Sequence, residues 1–73
     1  MAKTGNRDKE KIIDEFGTMK SFELSAHELY ARIAGDDDLK EQKVRDAFAK
    51  LADDEQRHAE LVQEIINIVN YAL

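Results

Sequence analysis

The sequence has no cysteine, no proline and no tryptophan, and only three glycines in 73 residues. The absence of cysteine excludes disulfides, thiolate zinc sites, iron–sulfur clusters and cysteine nucleophiles together, and it allows a reducing compartment such as the cytoplasm. With no proline, and glycine confined to Gly5, Gly17 and Gly35, the usual punctuation of turns is nearly missing, so long helices are expected. No apolar run approaches the roughly 18 residues of a membrane-spanning helix, and Met1-Ala2-Lys3-Thr4-Gly5-Asn6-Arg7 lacks the apolar stretch of a secretory signal. Bases are the minority, 11 against 16 acids, for a formal charge of −5. Nucleic acid needs a net basic face and is not an expected partner; cations are more plausible guests.

What the chain does have is charge and apolar bulk in near balance, 37% charged and 42% hydrophobic. That is too apolar for a disordered tail and too polar for a membrane protein. The length suits one domain or less. A chain this short buries little core, and without disulfides it needs a metal, a partner or unusually regular packing, so an oligomer is expected.

One strong break interrupts the helical pattern, at Ala34-Gly35-Asp36-Asp37-Asp38. Gly35 suits the left-handed residue that closes a helix. Asp38, with Glu41 three residues on, reads as a capping box opening the next helix. The expected layout is a frayed tail over residues 1–7, a first helix over about 8–34, a turn at 35–38 and a second helix over about 39–72. Gly17, inside the first helix, costs about 1 kcal/mol relative to alanine. It marks either close packing or nothing.

The apolar spacing assigns faces. Helix 1 carries the stripe Ile12, Phe16, Met19, Glu23, Ala26, Tyr30, Ile33, and helix 2 carries Val44, Phe48, Leu51, Glu55, His58, Val62, Ile65, Val69, Ala72. Both follow the spacing of helices packed nearly antiparallel, and a short loop folds them back as a hairpin. Residues that face each other in such a hairpin have numbers with a nearly constant total. Ile33 with Val44, Tyr30 with Phe48, Ala26 with Leu51, Glu23 with Glu55, Met19 with His58 and Phe16 with Val62 all total 77 or 78. The stripes therefore stay in register, and Glu23, Glu55 and His58 are expected at one level in an apolar seam. Ile13, Phe22, Leu29, Leu61, Ile66 and Ile68 widen the apolar surface beyond what one partner helix covers. A second hairpin would cover them and complete a four-helix bundle. The fold class expected is thus all-α, an antiparallel hairpin that dimerises into such a bundle.

Charge in an apolar core is expensive unless paired or neutralised. Glu55 and His58, at i and i+3, project from one face of helix 2. Alone, Glu-x-x-His is a weak signal. Set level with a seam glutamate on the facing helix, it points to metal ligation, since no seam lysine or arginine is there to pair the carboxylates. Oxygen and imidazole donors suit iron, manganese or zinc. Two chains about a twofold axis supply four glutamates and two histidines, a ligand set known from di-iron carboxylate bundles. Four carboxylates and two divalent ions also balance in charge.

Glu23, Tyr30 seven residues later, and Leu51-Ala52-Asp53-Asp54-Glu55-Gln56-Arg57-His58-Ala59-Glu60 together resemble the ferritin-like superfamily in its rubrerythrin branch. The likeness runs over nearly all of residues 12–69. The usual domain of that branch has four helices and two copies of the pattern, where this chain has one. In this it is similar to encapsulated ferritins, two-helix chains that build a di-iron site between subunits. Their C-terminal cargo tail has no counterpart after Asn70-Tyr71-Ala72-Leu73, so lodging in an encapsulin shell is an open expectation beside a free cytoplasmic protein.

The resemblance implies that Glu23, Glu55 and His58 are metal ligands and the reactive centre, with Glu55 of each subunit bridging two irons. It implies oxidation of ferrous iron by dioxygen or peroxide, as a ferroxidase that handles iron. A rubrerythrin-like peroxide reductase is the alternative, and since the chain has no cysteine-rich module, that activity would need an external electron donor. A non-enzymatic dimerisation module with a structural metal or a buried polar cluster is the rival from another class.

Tyr30 and His27 are the candidates for contacts behind the ligands. Tyr30 is either an amphipathic core residue or a hydroxyl donor to a metal-bound carboxylate. His27, one turn after Glu23 and off the stripe, reads as a surface or interface histidine before an extra ligand. Met19 reads as core filler. Asp36-Asp37-Asp38 reads as helix capping, because the later ligands of a calcium loop are missing.

Overall fold

A computed structural model describes the backbone of residues 2–73 and the side chains from Asp8 onward. The chain is two helices, α1 (Ala2–Ala34) and α2 (Gln42–Ala72), folded back on each other, and the described residues contain no strand. The all-α hairpin expected from the sequence is what forms. Among the described residues, no helix is long and apolar enough to cross a membrane.

The boundaries differ from the expected ones. Helical backbone begins at Ala2, where a tail over residues 1–7 was expected; Met1 and the side chains of 2–7 lie outside the described residues. The turn runs over 35–41, and α2 starts at Gln42 rather than near 39. Asp38 is not the cap: Glu41 is, with φ −76° and ψ 108°, and its side chain makes no capping bond. The cause lies in the turn. Asp36 Oδ1 accepts the Asp38 amide at 2.9 Å and its carbonyl accepts the Leu39 amide at 3.1 Å, so the aspartates close a local turn before α2 can start. Gly35 adopts no positive φ, against the left-handed closure expected of it. Its amide still donates to Ala31 O at 3.0 Å, in ordinary helical fashion. Arg45 Nε donates to Ala34 O at 3.0 Å, satisfying one carbonyl left open at the end of α1.

The register holds but the seam is rotated. Tyr30 meets Phe48 with ring centroids 6.0 Å apart, as the pairing of the stripes requires. Of the buried positions of α2, Val62 lies on the expected stripe, whereas Ala52, Ala59 and Ile66 lie off it. Leu51, His58 and Ile65 stand one position earlier, about 100° round the helix. They belong to an open flank: Leu51 and Ile65 are 42% and 39% exposed, and so are the α1 neighbours Met19, Phe22 and Leu29, at 45%, 72% and 42%. The small side chains of Ala52 and Ala59 share the inside of the hairpin with Val62 and Ile66, and Leu51 and Ile65 stay partly exposed.

One hairpin leaves the chain under-covered. The molecule measures 59 × 14 × 11 Å with a radius of gyration of 16.9 Å, where a compact domain of this length has about 11 Å. Its accessible surface is 5747 Å², against about 4,600 Å² for a folded monomer of this mass. The excess, on the order of 1,000 Å², is comparable to what one partner buries in a stable interface.

Candidate metal centre

Glu23 sits near the middle of α1, and its Oε2 is buried with no hydrogen-bond partner. A buried carboxylate oxygen left without a partner is costly. Glu55, on the facing part of α2, has a side chain 22% exposed. The two share an open groove of about 490 Å³ with Glu15, Thr18, Met19, Phe22 and Ala26. Its walls are mostly apolar, and it is open to solvent in the single chain.

His58 follows Glu55 by three residues on the same side of α2, and its Nδ1 lies 3.5 Å from Glu55 Oε1. That is an ion-pair distance if the ring is charged, and too long for a good hydrogen bond. The His58 side chain is 55% exposed, so it stands on the open flank rather than inside the hairpin seam where the stripe placed it. The structure thus brings Glu23 to Glu55 in one groove and Glu55 to His58 on one helix face. Among the described residues of one chain, no three histidine, aspartate or glutamate side chains are grouped closely enough to hold a metal ion.

The remaining candidates fall on other sides. Tyr30 packs its ring on Phe48, one turn beyond the groove toward the loop. His27 is half-buried and its Nδ1 lies 2.8 Å from the Ala52 carbonyl of α2, so it spans the hairpin, which its off-stripe position did not suggest. Met19 lines the groove and is exposed there rather than filling the core. Sequence reading passed over Glu15, although its spacing of eight residues before Glu23 sets it on the groove side of α1. The Asp36-Asp37-Asp38 carboxylates stay in the turn.

The fold and the site define a helical hairpin with two glutamates and a histidine along an uncovered, mostly apolar face. The chain belongs to the rubrerythrin family, whose sequence model matches residues 19–73, the stretch that holds Glu23, Glu55 and His58. Members typically bind iron, and membership points to a di-iron protein of the ferritin-like kind. No curated protein and no solved structure matches the chain.

Proposed function

We propose that two copies of this chain pair through the open flank into a four-helix bundle, and that the bundle holds two iron ions between Glu23, Glu55 and His58 of both subunits. The observation that carries this is the buried, unpartnered Oε2 of Glu23, a residue that lines the same open groove as Glu55. The residues fit the group. Hard carboxylate oxygens and an imidazole nitrogen match iron, manganese or zinc, and four carboxylates neutralise two divalent ions in a dry core. The surface in excess of a compact monomer supports a second copy as the cover.

A bound ferrous pair would supply the electrons that reduce dioxygen or peroxide. The chain's own part is to hold and seclude. Met19, Phe22 and Ala26 line the groove and keep water from the carboxylates once the flank is covered. Glu15, at the groove's edge, gives an approaching cation a first negative contact. The activity proposed is ferroxidase. Aerobic addition of ferrous iron should raise near-ultraviolet absorbance faster than in buffer, and Glu55→Ala should reduce the rate to the buffer level with helical content unchanged. Wild-type protein that oxidises iron no faster than buffer would sink the proposal.

The non-enzymatic reading draws on the approach of His58 to Glu55, which would also suit a polar cluster closed inside a dimer. It expects stable dimers with no iron oxidation. A peroxide reductase would consume peroxide only with an added electron donor.

A further inference from the structure

The groove accounts for one side of the Glu23–Glu55 level; the opposite side holds the two cross-hairpin hydrogen bonds nearest to it. Toward the loop, His27 Nδ1 meets Ala52 O at 2.8 Å. Toward the open ends, Lys20 Nζ donates to Gln63 Oε1 at 2.6 Å. His27 is one helical turn from Glu23, and Ala52 is one turn from Glu55. The His27 bond therefore joins the very turns that carry the two carboxylates. A carbonyl oxygen only accepts, so Nδ1 bears the proton and Nε2 is the ring's acceptor when the ring is neutral. Ala52 O has a second lone pair for this bond beside the one used in the α2 ladder. Ala52 is 4% exposed, and its small side chain is what lets the imidazole reach the backbone.

We propose that His27 is a positioning residue of the metal centre: by hydrogen-bonding the Ala52 carbonyl it fixes the axial and rotational offset between Glu23 and Glu55. This rests on the metal-centre reading above. Lys20–Gln63 joins two flexible side chains and tolerates sliding. A ring on a backbone carbonyl does not, since moving the helices by one residue rise, about 1.5 Å, breaks it.

The test compares His27→Asn, whose amide nitrogen takes nearly the place of Nδ1, with His27→Leu, which keeps bulk and removes the donor. Zinc and cobalt affinities of the folded protein and the visible spectrum of the cobalt form are read for both, with helical content and assembly state as controls. Nitrogen-15 NMR of the metal-free wild type reads the ring tautomer at alkaline pH. The expected results are a proton on Nδ1, wild-type affinity and spectrum in His27→Asn, and at least about tenfold weaker zinc binding with an altered cobalt spectrum in His27→Leu. A proton on Nε2 overturns the proposal. So does His27→Leu binding as wild type does, even if it melts earlier, because that marks a merely structural bond; equal losses in both variants overturn it too. Wild-type protein that binds neither ion removes the metal centre itself, an outcome distinct from a wild type that binds and a His27→Leu that binds equally well.

Discussion

Leu51→Ala probes the open flank with little disturbance of the hairpin. Leu51 lies one position from buried Ala52 and is 42% exposed in the single chain. If a second copy covers it, pairing buries that remaining part. The substitution removes three carbons, each worth about 0.8 kcal/mol on full burial. Scaled by the exposed fraction, this comes to about 1 kcal/mol per subunit. A twofold interface contains the residue twice, so the dimer loses about 2 kcal/mol, or about 30-fold in dissociation constant. Sedimentation equilibrium of metal-free protein measures this directly. Tyr71→Ala serves as the control: Tyr71 is 96% exposed but stands on the far side of α2 from Leu51, so it should change association less than about threefold. Equal association of Leu51→Ala and wild type, or a well-folded monomeric wild type, would refute the assignment of this flank to a partner copy.

The combined variant Glu23→Leu, Glu55→Leu, His58→Leu should melt above the metal-free wild type, by the equivalent of about 1–4 kcal/mol, because apolar side chains of similar volume replace polar groups that the dimer would desolvate. Added zinc should raise the wild-type melting temperature, by about 2.7 kcal/mol of stability at a hundredfold excess over its dissociation constant, and leave the variant's unchanged; paired melts at fixed chain concentration check both, and a variant well below the metal-free wild type would show that these residues hold the fold without metal. Gly17→Ala should stabilise the protein by about 1 kcal/mol, because a methyl group there meets nothing within 4 Å; a thermal melt that drops instead would reveal a partner packed on that side of α1.

The two long helices and their pairing were readable from a chain with no proline and from stripes whose register survived, as Tyr30 on Phe48 shows. The rotation of α2 was not. A heptad stripe of large apolar residues marks the face that must be buried, but not what buries it. Here the alanines at 52 and 59 take the inside of the hairpin while Leu51 and Ile65 face outward. The same ambiguity set His58 in the seam on paper and on the open flank in the fold. Glu23 and Glu55 were legible because a carboxylate breaking an apolar stripe is conspicuous at any rotation. His27 was a candidate from the sequence, but its bond was not legible, since the partner is a backbone carbonyl, which leaves no trace in residue type. The start of α2 was misplaced for a local reason: the Asp36 side chain bonds forward into the turn and displaces the capping box expected at Asp38.

In the proposed assembly one chain carries half of a two-metal site. Native mass spectrometry of the full chain, loaded with ferrous iron under anaerobic conditions or with zinc, tests it most directly. The expected spectra show even-numbered assemblies that hold one metal ion per chain, two per pair, and that lose both ions together in Glu55→Ala. A monomer that binds metal tightly, or a dimer that binds none, would contradict it.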